Sequence, residues 1–255
     1  MLRHIKCYVI WREHSQQMLD FAVLISTAAP QLDHALRASI ADPSVFLAKN
    51  AAFRPSEMPY ATERRALPIY EETLGATMLL SIFSYFETYF FSVVDEILAY
   101  HGGEEGIEKL MRSQMSTKVR SAEAVAALTG LRTTFKPSRA DKYRSYSSKL
   151  RDQPVSWPSQ RFMLYGLKQV ASQKKRWKSA DIPDLMRNLL CMDVQDQDQN
   201  RFHLLRDARN KIAHGKALSY NLKKAIDASY FLRTLSMAVD EHVVENFMVV
   251  ERYAH

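Results

Sequence analysis

Between Tyr70 and Tyr100, Leu74, Met78, Ile82, Phe86, Phe90, Val93 and Ile97 recur at steps of three and four residues with no proline among them. That spacing makes one apolar face on a helix of about eight turns, ended by His101-Gly102-Gly103, and other helices must cover it. No segment shows a competing strand alternation. The expected fold class is all-α.

Composition agrees with a packed core. Of 255 residues, 47% are hydrophobic and 25% charged, which excludes disorder throughout. With 7 glycines and 9 prolines, collagen-like and linker-like chains are excluded too. Cys7 and Cys191 are too few for a disulfide framework and lack the C-x-x-C spacing of a zinc ribbon, so a reducing compartment is expected. Met1 to Gln17 carries charge around one short apolar stretch, so no secretory leader is expected and the location expected is cytoplasmic. Leu74 to Val94 is apolar enough to raise a membrane-spanning reading. Glu87 and five hydroxyls inside it favour a buried helix, and no membrane partner is expected.

Two regions are expected. Residues 1–69 form an N-terminal helical extension, with two helical stretches from about Gln16 to Ala41 broken at Pro30, then a connection from Asp42 to Pro68. Residues 70–255 form the main helical domain. Within it, short helices are expected at Glu104–Met115 and Ala122–Leu128, an irregular stretch at Lys136–Ser159, and helical pattern at Gln160–Trp177. Another helix follows at Pro183–Leu190, with Asp181 as its N-cap. The acidic, amide-rich run Asp193–Gln199 reads as a connector into a helix that ends near His214-Gly215. The final helix spans roughly Tyr220 to Val249, burying Ala225, Ala228, Leu232, Leu235, Val239, Val243 and Phe247.

The net charge of +7 is unevenly placed. From Leu131 to Lys178, thirteen basic residues face only Asp141 and Asp152, so this insertion carries an excess of eleven and the rest of the chain is net negative. Tyr143, Tyr146, Trp157, Phe162, Tyr165 and Trp177 are interleaved. That mixture suits a polyanion offering phosphates and bases, and Arg139, Lys142, Arg144, Lys174, Lys175, Arg176 and Lys178 are the candidate RNA contacts. The alternative is a merely solvated basic face, which is what most charge runs are.

Phe202, Leu205, Arg209 and Ile212 share one helix face. An arginine in such a stripe needs a carboxylate or a visiting anion, since burying its charge unpaired costs several kcal/mol. Glu87 is the candidate carboxylate. His214, five residues on, falls where the helix ends and can point across the opening beside the guanidinium.

Arg209-Asn210-Lys211-Ile212-Ala213-His214-Gly215 resembles the signature of HEPN domains: Arg, four to six residues, then His, with a polar residue directly after the Arg. Leu80-Ser81-Ile82-Phe83-Ser84-Tyr85-Phe86-Glu87 resembles the first long helix of the RiboL-PSP group of that family. Ile182-Pro183-Asp184-Leu185 through Leu189-Leu190 resembles the short helix before its signature helix. The resemblance covers about residues 70–250, with gaps. The N-terminal extension and the basic insertion depart from a minimal HEPN domain. What it implies is an antiparallel helical bundle that pairs as a homodimer and brings two copies of the signature into one cleft. Many such proteins are metal-independent endoribonucleases, often toxins or antiviral-defence effectors with an antitoxin or defence-system partner. Others are silent modules that bind RNA, nucleotide or protein.

The chemistry suits these residues without a cofactor or a metal. RNA supplies its own 2′-OH nucleophile, so cleavage needs proton transfer, suited to His214, and charge stabilisation, suited to the fork of Arg209. Asn210 can orient His214 or donate to the phosphate, and Glu87 can orient Arg209. The products expected are a 2′,3′-cyclic phosphate and a 5′-OH. Against this stands a scaffold in which Arg209–Glu87 is purely structural and His214 only bonds the last helix carbonyls. No Gly-rich phosphate loop, H-E-x-x-H or G-x-S-x-G is present.

Overall fold

The computed structural model describes residues 4–41, 60–103, 105–106, 126, 142, 145, 171–216 and 219–248. These are all-α, with no strand among them. The helices are α1 (Lys6–Ala41), α2 (Ala61–Ala66), α3 (Tyr70–Tyr100), α4 (Ile182–Asn188), α5 (Asp196–Ala213) and α6 (Leu222–Phe247). Single 3-10 turns stand at Leu67–Ile69, Lys174–Arg176 and Ser179–Asp181.

Helix α3 spans the bounds its periodicity predicts, and every residue of the expected stripe is buried. Leu79, Phe83, Tyr89 and Val94 are buried as well, because α1, α5 and α6 all pack on it. Phe83, Phe86 and Phe90 are fully covered, and each such side chain contributes roughly 1.5–3 kcal/mol. By length and composition Ala61–Tyr100 could cross a membrane, yet half of its most apolar window is buried by the rest of the fold.

Contacts in register give the helix directions. Cys7 meets Glu96, Trp11 meets Phe86, and His14 stacks on Tyr85, so α1 runs antiparallel to α3. Ile5 meets Asp240 and Gln16 meets Arg233, so α1 is antiparallel to α6 too. Tyr89 bonds the Ser236 carbonyl and Tyr100 that of Met248, so α3 and α6 run in the same sense. The packing is therefore mixed in direction rather than uniformly antiparallel. Gly75 makes the α3–α6 approach, since a Cβ there would overlap the Tyr220 carbonyl oxygen and stand 2.6 Å from that of Asn221.

The N-terminal region departs most from expectation. Helix α1 starts at Lys6 rather than Gln16 and runs through Pro30 without a break. Its start is capped from outside: Asp240 accepts from the Ile5 amide at 2.8 Å and Glu96 from those of Lys6 and Cys7. These carboxylates do for the first turn what a local N-cap residue does elsewhere. Past Pro30 the helix persists because Ala22, Ala29 and Leu36, seven residues apart, keep one buried line. Ile5, Cys7, Tyr8 and Trp11 belong to the same core as α3 and α6.

Smaller corrections follow. The expected connection before α3 is helical over Ala61–Ile69, and α5 starts at Asp196, inside the expected acidic connector, where Asp196 and Asp198 suit a first turn. Asp181 occupies the N-cap position of α4 but does not cap it. Its carboxylate accepts from the Lys178 amide at 2.7 Å and closes the preceding turn. Leu235 is only half-buried in the α6 stripe. Lys174–Arg176 is a 3-10 turn rather than the end of an α-helix. The expected helices at Glu104–Met115 and Ala122–Leu128, the stretch Lys136–Ser159 and the start of Gln160–Trp177 lie outside the described residues, apart from isolated positions.

Candidate functional site

Helix α5 carries Phe202 fully buried against Phe83 and Phe86, with Leu205 and Ile212 packed on the core along the same face. That anchorage fixes where Arg209 points. Its guanidinium lies against α3, 3.4 Å from Glu87 Oε2 and 3.4 Å from Ser84 Oγ, and 5.8 Å from the centroid of the Phe83 ring. Nη1 donates to Asn210 Oδ1 at 3.0 Å. Nε is buried and has no hydrogen-bond partner among the described residues. The two contacts to α3 lie at the long end of hydrogen-bond distance. The fork is therefore oriented but not saturated, and the arginine is about a quarter exposed.

The expected Arg209–Glu87 pairing is thus present, while Asn210 holds Arg209 rather than His214. Its side-chain oxygen is committed to Arg209, which leaves Nδ2 to donate. Its main-chain oxygen accepts the His214 amide at 3.0 Å. His214 is the C-cap of α5, and Gly215 follows at φ 67, a left-handed conformation natural to glycine. Gly215 N–H bonds Ile212 and Lys216 N–H bonds Lys211, the paired closure of a Schellman end. This closure leaves the imidazole out of the cap. The ring is exposed and makes no hydrogen bond among the described residues.

Two of the other histidines bond main-chain carbonyls. His101 meets the Phe247 carbonyl at 2.5 Å, and His242 meets that of Leu190 at 2.7 Å. Among the described residues, no group of three His, Cys, Asp or Glu side chains is placed to hold a metal ion.

Of the candidate RNA contacts, Arg139 and Arg144 lie outside the described residues, and Lys142 is described only as exposed and helical. Lys175, Arg176 and Lys178 are exposed, whereas Lys174 is ion-paired with Asp95 of α3. Trp177 packs on Phe91, ring centroids 6.1 Å apart. Ser84, Phe91 and Asp95 were not singled out as site residues by sequence. The signal was there: with Glu87 they follow one outer line of α3 at steps of three, four and four.

Together these features define an all-α protein with an oriented, unsaturated arginine and, five residues further on at the helix end, an exposed histidine that makes no hydrogen bond among the described residues. No protein-family model, curated protein or solved structure matches the chain.

Proposed function

We propose that this chain is a HEPN-like endoribonuclease, active as a homodimer, that cuts RNA by 2′-OH attack to leave a 2′,3′-cyclic phosphate. Arg209 stabilises the phosphorane charge, His214 moves the proton, and Glu87, Ser84 and the Asn210 side-chain oxygen aim the guanidinium. The observation that carries the reading is the state of Arg209: held on three sides yet with an unpaired Nε, one short stretch of helix from an exposed imidazole that no hydrogen bond ties down among the described residues. A toxin or defence effector acting on cellular RNA, in the cytoplasm, is the biology that accompanies such an activity.

Cleavage of RNA in excess chelator by the wild-type protein, abolished in His214→Ala, is the expected result. A 2′-O-methyl or DNA strand should resist, because the attacking hydroxyl is gone. Sedimentation should report a dimer. RNA binding without cleavage by either protein would replace the enzyme with a silent RNA-binding module. The Arg209–Glu87 contact itself favours the scaffold reading, which the stability of Arg209→Ala tests.

A further inference from the structure

Ser84, Glu87, Phe91 and Asp95 lie along one line of α3, and three side chains from two separate pieces of chain sit on it in order. Arg209 rests on Ser84 and Glu87, Trp177 on Phe91, and Lys174 on Asp95. Glu87 to Asp95 is about 12 Å along the axis at 1.5 Å per residue. The 3-10 turn Lys174–Arg176 is thus pinned beside the same strip of α3 as the candidate catalytic arginine, although 33 residues of sequence separate Arg176 from Arg209.

The pinning divides the labour within the turn. Lys174 is neutralised by Asp95, so its charge serves attachment. Lys175, Arg176 and Lys178 are exposed with no ion-pair partner among the described residues. Trp177 is half-buried on Phe91, between Lys174 on Asp95 and Arg209 on Glu87 along the strip. On the outer face, the Thr88 and Ser92 hydroxyls bond back to their own helix carbonyls, so they leave a low, satisfied floor.

We infer that the turn Lys174–Lys178 is a single-strand subsite of the Arg209 centre. Lys175, Arg176 and Lys178 hold backbone phosphates a few nucleotides from the phosphate at Arg209, and Trp177 offers its face to an intervening base. This rests on the RNA reading above. A single strand fits because its bases are free to turn onto an indole, whereas a duplex keeps them paired and stacked.

The test is fluorescence anisotropy with a 5′-fluorescein single-stranded RNA of mixed sequence, in chelator, on the His214→Ala protein. Adding Lys175→Ala, Arg176→Ala and Lys178→Ala together should weaken binding about 10- to 100-fold near 0.1 M salt. The slope of log affinity against log salt should fall by about 2, at about 0.7 for each phosphate no longer neutralised. Trp177→Ala should weaken binding roughly 10-fold and Trp177→Tyr far less. Arg12→Ala, on α1 at the opposite flank of α3, should change neither affinity nor slope. Thermal unfolding verifies each fold, and Lys175→Glu alone repeats the reading with one change. Unchanged affinity and slope in the triple variant overturn the subsite. So does duplex RNA binding as tightly as single strand, or polyglutamate competing as well as RNA. Wild-type cleavage with undiminished binding by the triple variant removes the subsite and keeps the nuclease. Loss of binding in the triple variant without wild-type cleavage does the reverse.

Discussion

Arg209 Nη2 and Glu87 Oε2 face each other at 3.4 Å, with the two side chains 25% and 23% exposed. A charge-assisted hydrogen bond prefers about 2.7–2.9 Å, so this pair positions the guanidinium more than it neutralises it. Partial exposure screens the pair further. Arg209→Ala is therefore expected to cost only about 1 kcal/mol in denaturant unfolding while lowering RNA cleavage at least about 100-fold. Arg209→Lys keeps the charge but not the fork and should not restore activity. A stability loss of about 3 kcal/mol or more would show a buried structural pair instead.

Gly75→Ala tests the contact between α3 and the start of α6. The added methyl meets backbone rather than a side chain that could swing away. A loss of about 1–3 kcal/mol is expected, against the slight gain that alanine gives in an ordinary helix interior. Equal or higher stability would mean that the two helices separate at no cost.

Capping in trans makes a third prediction. Glu96→Ala removes the acceptor for two amides at the start of α1, and should destabilise the protein by about 1–2 kcal/mol. Glu96→Gln keeps an acceptor oxygen and should recover part of this. Hydrogen exchange should show the loss first at Lys6 and Cys7. Uniform loosening of α3 instead would point to a packing role for Glu96.

Alkaline pH should destabilise the fold in two stages. Burial, then Glu96, pushes the Cys7 thiol well above its usual range, and burial pushes Tyr89 up as well. The folded state therefore keeps protons that the unfolded chain releases, so stability is complete below the unfolded values and falls as pH rises through them. The decline should begin near pH 8.5 for Cys7 at about 1.4 kcal/mol per pH unit, and steepen near 10 as Tyr89 joins. Cys7→Ala should postpone the onset to the tyrosine stage. In the native protein Cys7 should resist alkylation at pH 8, whereas rapid modification there would place its thiol outside the core.

How legible all this was depended on where each cause lay. The α3 stripe was readable because burial on a long helix repeats every few residues, and α5 and α6 followed the same rule. The first half of α1 was not, because its caps come from partners 89 and 235 residues away and no local window contains them. Pro30 misled for the same reason: its local penalty is overridden by packing at Ala29 and Leu36. At the site, the Arg209–Glu87 pairing followed from electrostatic necessity. The partner of Asn210 did not, since an amide has several equally good uses until a backbone fixes its reach. Lys174 was grouped with its basic neighbours because nothing in a charge run marks which member will meet an aspartate.

The external capping of α1 also orders events during synthesis. The Ile5 amide is made 235 residues ahead of Asp240, and until that aspartate arrives Glu96 alone caps the opening turn and the Ile5 amide lacks its acceptor. Closing so long a loop is slow and entropically costly. Helix α1, made long before α6, is thus among the last of these elements to settle, and its packing on the α3 that aims Arg209 is complete only once α6 is in place.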